Sequence, residues 1–567
     1  MLAVLRGLLA ALLLPAPWID LLRWLRFRRR GVVEISLADE LGRPGGGERL
    51  AQVLEDLRAD PFIRGVRLRL DGAGGSWASL QTLHRQLRLL AEAGKGVVAE
   101  AVVLGTAELY LASAASRVVM MPTGEVVASG PAARLTFLGD ALARLGVQIE
   151  VFAAGDYKTA GDPLVRACPT PEHREATQAL LDDWLAELVQ AVARGRKLDA
   201  ARVAELLAAT PFSATEAVEA GLVDALCFED EVEGQLEDLL EVEPRVASLG
   251  AWRRGRRLHR LRRWLAGGGA PVAVLRLRGA VVERAPEHQT RDLIAADSVV
   301  PLLDRLRQDD DVRGVLLCVD SPGGSALASE RIARAVERLQ GEKPVVALLQ
   351  GVAASGGYYL AVPAGVLYAQ PGTVTGSIGV IGVQVRVLPA LARWGVHATA
   401  LHTTPGSDLD LGLRAMTRSE RARVEAQIDR TYGLFLRRVG AGRRRPLRAV
   451  EPLAGGRVWS GRAALRHGLL DRLGTYHDAL AHLYGLVGLR LRPGFEPRLD
   501  FGRPEPGLLP RLIRALLGGA MLRAWPGLGL LARLVEEVEP PPVLEAVLEA
   551  GARPAVLAVG AWDQAVS

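Results

Sequence analysis

The sequence is poor in cysteine: its 567 residues include three, Cys168, Cys227 and Cys318. An odd number of cysteines without paired spacing provides neither a disulfide framework nor a zinc site, and we predict no metal and no other cofactor. Cys318 lies within "GVLLCVD", a run typical of a buried strand, where cysteine behaves as a small apolar core residue. The cysteines therefore indicate nothing about the redox compartment.

Motifs for nucleotide and nucleic-acid binding are missing as well. "DSPGGS" (320–325) resembles a phosphate loop at first sight, but it lacks the G-x-G-x-x-G spacing and the Walker lysine. The net charge of +6 comes mainly from arginine, much of it clustered in 23–30 and 253–264. Because apolar residues flank these clusters and no nucleic-acid module accompanies them, they favour a phospholipid surface over nucleic acid.

The apolar N-terminal run is short. Residues 7–19 are uncharged, but they fall below the ~20 residues that span a bilayer, and Pro15 and Pro17 interrupt them. Such a run suits a short anchor, an interfacial helix or a signal-peptide core, although no A-x-A cleavage site is evident. We predict that residues 1–30 associate with a membrane.

The sequence does contain an internal repeat of one domain. "RGVRLRLDGAGGS" (64–76) matches "RGVLLCVDSPGGS" (313–325), 249 residues further on. "FSATEAVEAGLVDAL" (212–226) similarly matches "WSGRAALRHGLLDRL" (459–473). Two long copies that together cover most of the chain indicate a duplicated domain and not a solenoid.

Each copy alternates short β-branched runs with helical patterns. The order strand, glycine-rich turn, helix, strand is that of a βαβ unit, whose crossover helices imply a mostly parallel, covered sheet. We therefore predict an α/β protein with two tandem domains. The predicted organisation is an N-terminal segment (1–30), a first domain (31–252), a basic, glycine-ended linker (253–270), a second domain (271–500) and an amphipathic tail (501–567).

A single hydroxyl stands among small residues in "GVAASGGYYL" (351–360), that of Ser355. The stretch fits a tight turn, and it equally fits a nucleophile that needs unobstructed N–H groups beside it. Gly323 and Gly324 of "DSPGGS" can present such amides because no Cβ shields them, and an oxyanion hole requires donors of this kind. Taken alone, each motif is also compatible with an ordinary βα turn.

Several motifs together carry a family resemblance. "DSPGGS", "AASGGYYLA" and "TVTGSIGV" in the second copy resemble the Clp protease/crotonase superfamily and, more closely, the signal peptide peptidase A family of serine proteases. In the first copy, "AGDYKTAGDPLVR" (154–166) is similar to that family's catalytic-lysine segment. The duplicated form of the family carries its lysine in the first half and its serine in the second, as this chain does. The resemblance spans roughly residues 31 to 500.

This resemblance implies a site and a fold. The fold would be two tandem Clp/crotonase-like domains, and the chemistry that of a Ser–Lys dyad. The implied roles are those of a nucleophile (Ser355), a general base (Lys158), oxyanion N–H donors (Gly356 and Gly323, with Gly324 close by) and a serine that holds the lysine in place (Ser377).

The resemblance also implies a substrate and a location. It points to endoproteolysis of short hydrophobic peptides, chiefly signal peptides already released from precursors, by a homotetramer at the bacterial inner membrane. The family places the body on the periplasmic side. The arginines of 23–30 argue for the cytoplasmic side under the positive-inside rule, so the topology stays open.

Elementary chemistry sets a condition on Lys158. At an unperturbed pKa of about 10.4, fewer than roughly one lysine in a thousand is neutral at pH 7. A pKa near 7 requires the ammonium to be destabilised by roughly 4–5 kcal/mol, which burial in an apolar environment can supply. Lysine is scarce in this sequence, and the neighbours of Lys158 are uncharged except for Asp156 and Asp162.

The two copies are not interchangeable. At the offset of 249, Ser355 corresponds to Thr106, and a glutamate, Glu108, replaces the second glycine that follows. Lys158 corresponds to Ser407, in a stretch without lysine. The first copy would thus contribute the base and the second the nucleophile. The site would lie between copies, within one chain or across two.

Three alternatives stay open at this stage. One is a Clp-like Ser–His–Asp triad that combines Ser355 with His397 or His402 and with Asp408 or Asp410. A second is acyl-CoA chemistry of the crotonase type, although no adenine or pantetheine site is evident. The third is a catalytically inactive scaffold at the membrane, against which the intact serine and lysine argue.

Overall fold

The computed structural model describes residues 30–42, 45–254, 270–286, 292–401, 403–404, 406–409, 412–490 and 497–501. Nearly all of the N-terminal segment, most of the linker and the tail beyond Phe501 fall outside these ranges, as do His402 and Asp410. The predictions made for them stay predictions. Across the ranges just given, no helix combines the length and the apolarity needed to cross a bilayer.

Strands occur in both copies. They are β1 Gly31–Ser36, β2 Ile63–Arg69, β3 Gly96–Leu104, β4 Arg117–Val126, β5 Gln148–Ala154, β6 Phe212–Ser213, β7 Ala225–Leu226, β8 Arg245–Ser248, β9 Ala270–Arg278, β10 Ala280–Val282, β11 Leu293–Ala295, β12 Gly314–Ser321, β13 Val345–Ala354, β14 Val366–Ala369, β15 Val374–Gly376, β16 Val380–Arg386, β17 Val458–Ser460, β18 Arg472–Leu473 and β19 Pro497–Phe501.

Helices alternate with these strands. They are α1 Leu37–Leu41, α2 Gly46–Ala59, α3 Trp77–Glu92, α4 Thr106–Ala112, α5 Gly139–Leu145, α6 Asp162–Val165, α7 Pro171–Arg196, α8 Ala200–Ala209, α9 Ala214–Glu219, α10 Val232–Leu240, α11 Ala296–Gln308, α12 Ala326–Glu342, α13 Gly356–Ala361, α14 Leu388–Ala392, α15 Arg418–Gly442, α16 Leu447–Val450, α17 Gly461–Arg466 and α18 Tyr476–Leu486. Residues 249–254 are helical too, and short 3₁₀ turns cover Thr159–Gly161, Glu229–Glu231 and Glu451–Leu453.

The two copies build sheets of the same order. The first sheet runs β6-β4-β3-β2-β1-β8 and the second β17-β15-β13-β12-β9-β19. The central strands pair in parallel in both sheets, whereas β6 and β17 join antiparallel. This confirms the predicted pair of tandem α/β domains.

The apolar strands and the glycine turns explain this architecture locally. Val315 to Val319 in β12 are fully buried, Cys318 included, because helices cover both faces of a parallel sheet. The turn that follows ends on Ser325, whose hydroxyl accepts a hydrogen bond from Ala328 N–H and caps α12. Ser76 caps α3 in the same way in the first copy.

A two-stranded ribbon joins the copies. β5 of the first copy pairs antiparallel with β16 of the second, from Ala154 opposite Val380 to Gln148 opposite Arg386. The ribbon ends shortly before Lys158 on one strand and begins shortly after Ser377 on the other. The chain therefore brings the two predicted motifs together by pairing strands that lie far apart in sequence.

Further polar contacts hold the copies together away from the ribbon. Arg85 on α3 pairs through both guanidinium nitrogens with the carboxylate of Asp478 on α18, at 2.5 and 2.9 Å. Trp184 Nε1 donates to the carbonyl of Gly372 at 3.1 Å, and the amide of Gly372 donates to Gln81 Oε1 at 2.7 Å. The two copies thus share an extensive interface within one chain.

Candidate active site

Ser355 occupies the sharp turn between β13 and α13. Its backbone has φ 51° and ψ −120°, a region that costs a residue other than glycine roughly 1–3 kcal/mol. The turn is held because Ser355 N–H donates to Gly376 O and Ser355 O accepts from Tyr359 N–H, both at 2.9 Å. The hydroxyl caps no helical amide. A strand–turn–helix of this kind presents a side chain for chemistry.

The two tyrosines that follow Ser355 are core residues. Tyr358 is fully buried, and its hydroxyl donates to Leu469 O at 2.8 Å. Tyr359 packs against Phe435 and bonds to Glu330. They anchor α13 and thereby fix the turn that carries Ser355.

Lys158 reaches Ser355 from the other copy. Its Nζ lies 3.1 Å from Ser355 Oγ, 2.9 Å from Ser377 Oγ and 3.1 Å from Ser377 O. The side chain is 7% exposed, and this burial lowers its pKa from 10.5 to about 7. No charged group contributes to that shift. A large fraction of Lys158 is therefore neutral at pH 7, with two N–H groups for Ser377 and a lone pair for Ser355.

Ser377 owes its position to contacts within the second copy. Its φ of 50° places it in the left-handed region, directly after Gly376 at the end of β15. Its amide donates to Arg457 O at 2.8 Å. This conformation turns both its hydroxyl and its carbonyl towards Lys158 Nζ.

A glycine turn of the second copy receives the lysine loop. Tyr157 N–H donates to Gly455 O at 2.9 Å. A Cβ on Gly456, whose φ is +88°, would lie 2.5 Å from both the Cα and the N of Lys158. Real Cβ atoms do not approach a backbone so closely, so the loop can dock only against glycine.

Gly456→Ala is accordingly expected to displace the lysine loop and to lower peptidase activity by about 10²-fold, the cost of roughly 1 Å of misplacement. The measurement is kcat/KM on a fluorogenic peptide. Gly485→Ala is the matched control, because a Cβ there meets nothing within 4 Å. Equal, near wild-type activity in both variants would contradict the docking argument.

The glycines of the "DSPGGS" turn lie against Ser355. A Cβ on Gly323 would come 2.8 Å from both Gly356 N and Ser355 Cβ, and φ is 107° at Gly323 and 152° at Gly324. The amide of Gly323 donates to Ser321 Oγ at 3.1 Å. By contrast, the amides of Gly356 and Gly324 have no hydrogen-bond acceptor within the part of the chain that the structure describes. Among the described residues, the amides left without an acceptor are thus those of Gly356 and Gly324, whereas the sequence predicts Gly356 and Gly323 as the donors.

Comparison with known proteins decides the family. The family model described as Peptidase family S49 matches the chain twice, over residues 90–243 and 337–490, once in each copy. The chain belongs to peptidase family S49. The signal peptide peptidase A resemblance is thereby confirmed, and the chain is a serine-type peptidase.

Curated relatives match this S49 peptidase over most of its length. The "Serine protease SPPA, chloroplastic" of Arabidopsis thaliana is 28% identical over 481 residues, which cover 81% of this chain and 69% of the relative. "Protease 4" of Salmonella typhi is 28% identical over 513 residues, covering 88% and 79%. Among solved structures, a ClpP1 mutant from Listeria monocytogenes covers 36% of this chain and 94% of its own, at 14% identity and a TM-score of 0.25.

The corresponding place in the first copy of the S49 peptidase is filled by its own side chains. Thr106 Oγ1 exchanges hydrogen bonds of 3.2 Å with the carbonyl and the amide of Gly130. Glu108 Oε1 accepts the amide of Ala73, in the glycine turn, at 2.6 Å. A carboxylate therefore lies against the glycine turn of the first copy, where it would repel an oxyanion.

The two described residues of the triad alternative, His397 and Asp408, have no hydrogen bond to Ser355. His397 is solvent-exposed, and no hydrogen bond joins it to Ser355 within the described ranges. Asp408 is 4% exposed, and both of its oxygens accept from Arg414, at 2.7 and 2.8 Å. His402 and Asp410 lie outside the described residues.

The residues that seat the lysine loop are not part of the site predicted from the sequence: they are Gly455, Gly456 and Arg457, with Tyr157 on the loop itself. A signal was present. The second copy reads "LAGGRVWS" (453–460) where the first reads "LAATPFS" (207–213), so the glycine pair belongs to the second copy alone. Copy-specific glycines at the end of a helix would have pointed to a close backbone approach.

Proposed function

We propose that this S49 peptidase is a serine endopeptidase in which Ser355 is the nucleophile and Lys158 the general base. The observation that carries the proposal is the 3.1 Å contact between Ser355 Oγ and a buried amine whose pKa is about 7. A serine hydroxyl is a weak nucleophile until a base takes its proton, and a neutral lysine can do so.

Each step can be assigned to a group in the site. As Ser355 Oγ attacks the peptide carbonyl, its proton passes to Lys158 Nζ, and Ser377 O and Oγ stabilise the ammonium. The amides of Gly356 and Gly324 donate to the oxyanion of the tetrahedral intermediate. Lys158 then protonates the leaving amine, which leaves an acyl-enzyme on Ser355. Water, deprotonated by the same lysine, hydrolyses this ester.

The proposed substrates are short hydrophobic peptides, chiefly signal peptides released from their precursors. One relative from Enterococcus faecium, 32% identical over 182 residues, is named "Putative signal peptide peptidase SppA". Large apolar side chains are exposed on and just after β16, among them Val385, Val387 and Trp394, at 38%, 45% and 86%. Exposed apolar side chains in the segment that follows Ser377 suit an apolar peptide.

Membrane attachment through residues 1–30, a periplasmic body and a homotetramer complete the proposal. They rest on the family resemblance and on the apolar and arginine-rich composition of 1–30. Protease accessibility of the body in intact spheroplasts tests the topology, since only a periplasmic body would be cut.

A fluorophosphonate probe tests the catalytic assignment directly. We expect covalent modification of Ser355, located by peptide mass spectrometry, together with cleavage of synthetic signal peptides. Labelling at any other serine, or cleavage that persists after complete modification of Ser355, would reject the assignment.

A further inference from the structure

Three side chains from both copies close a triangle beside the lysine loop. Arg457 Nη1 lies 2.8 Å from Glu175 Oε1 and donates to Tyr157 OH at 3.1 Å, and Tyr157 OH donates to Glu175 Oε2 at 2.8 Å. The Arg457 guanidinium also stacks over the rings of Tyr157 and Trp459, at 4.8 and 4.5 Å from their centroids. Planar stacking combined with directed N–H donation is a role that arginine fills and lysine does not.

The triangle is linked to the active site through the backbone. Tyr157 precedes Lys158, and Arg457 follows Gly456, which packs against the backbone of Lys158. The carbonyl of Arg457 accepts the amide of Ser377. Arg457 therefore contacts both the loop that carries Lys158 and Ser377, the residue that orients the Lys158 amine.

The site depends on these contacts of Arg457 because Lys158 is neutral at pH 7 only when burial lowers its pKa. Of the two carboxylates on its own segment, Asp156 is exposed to solvent, and Asp162 pairs with Arg166 at 3.2 Å and lies 3.8 Å from His173. From the second copy, Arg457 faces Glu175. Because desolvation is the cause of the shift, water admitted by a loosened loop would return the pKa of Lys158 towards 10.5.

We propose that Arg457, Tyr157 and Glu175 form a clamp that positions Lys158 against Ser355 and excludes water from its amine. This inference rests on the proposed function. The three are positioning residues, because none of them contacts Ser355 Oγ or Lys158 Nζ among the hydrogen bonds of the described residues. Loss of the clamp should change the pH dependence of the reaction as well as its rate.

The test compares pH profiles of kcat/KM and of fluorophosphonate labelling at Ser355 for wild type, Tyr157→Phe, Arg457→Lys and Arg457→Ala. We expect the midpoint near pH 7 to move upwards by about one pH unit or more in the Arg457→Ala variant, with a roughly tenfold loss at pH 7 that is recovered at alkaline pH. Tyr157→Phe, which removes only a hydroxyl, and Arg457→Lys should shift the midpoint in the same direction by less.

Arg85→Ala is the matched control, because it breaks another ion pair between the copies, with Asp478, that shares no residue with the lysine loop. Its midpoint should equal that of wild type. The clamp would be overturned if its variants lost activity equally at every pH, or if the midpoint of Arg85→Ala moved as far as theirs. In either case, labelling of Ser355 in the wild type would still support the proposed function. Absence of Ser355 labelling in wild type would instead reject the proposed function, and the clamp with it.

Discussion

Replacing Ser355 by alanine is expected to lower kcat/KM for peptide hydrolysis by roughly 10⁴–10⁶-fold, the loss seen when a serine nucleophile is removed. The fold should persist, because the hydroxyl caps no helical amide and alanine can adopt the same backbone conformation at the cost already met by serine. Steady-state kinetics on a fluorogenic apolar peptide measure the first effect, and thermal unfolding measures the second.

Thr106→Ala is the control for this variant, since it removes the corresponding hydroxyl of the first copy. It should keep most of the activity, because the Thr106 hydroxyl bonds to Gly130 and Glu108 occupies the neighbouring turn. A Ser355→Ala protein that cleaves at a near wild-type rate would exclude Ser355 as the nucleophile.

The second large loss of activity is expected when Lys158, the proposed general base, is replaced. Lys158→Ala should lower kcat by roughly 10³–10⁴-fold, near the upper end of what general acid–base catalysis contributes. Lys158→Arg should be nearly as inactive, because a guanidinium keeps its proton in proteins and cannot accept that of Ser355. His397→Ala should change kcat little, since that side chain is exposed. A large loss in His397→Ala together with an active Lys158→Ala would favour the triad.

The wild-type pH profile adds an independent check on the base. Below the pKa of about 7, Lys158 is an ammonium with no lone pair, and above it the amine can take the serine proton. We therefore expect kcat/KM to rise through one ionisation near pH 7 and to level off at higher pH. A profile that rises only towards pH 10 would show that the lysine is not buried in the working enzyme.

The sequence was most informative where chemistry and local structure coincide. The strand, glycine turn and helix of each copy could be predicted because hydrophobic periodicity and glycines determine them locally. Ser355 and Lys158 could be singled out because motif and copy comparison pointed to the same residues. That the two side chains meet within one chain could not be predicted, since "QIEVFAA" and "VIGVQVR" are ordinary strands until β5 and β16 dock.

The finer geometry of the site depends on backbone conformation. The sequence predicts Gly323 as an amide donor with Gly324 close by, and only the fold shows that Ser321 Oγ accepts the amide of Gly323. The Arg457 clamp could not be predicted from the sequence for a related reason. Its partners Tyr157 and Glu175 lie in the other copy, hundreds of residues away along the chain, and no local pattern reports such a contact.

The division of the site between the copies has a consequence for biosynthesis. Lys158 and Ser355 are 197 residues apart, and the ribbon and the glycine turn that unite them are completed only by residues up to 456. With these two residues in the proposed roles, a ribosome that has made the first copy has produced a base without a nucleophile. The emerging chain cannot cut its neighbours until the second copy has folded onto the first. Peptidase activity then requires that both copies have been made and have docked, and a chain truncated before the second copy lacks the nucleophile.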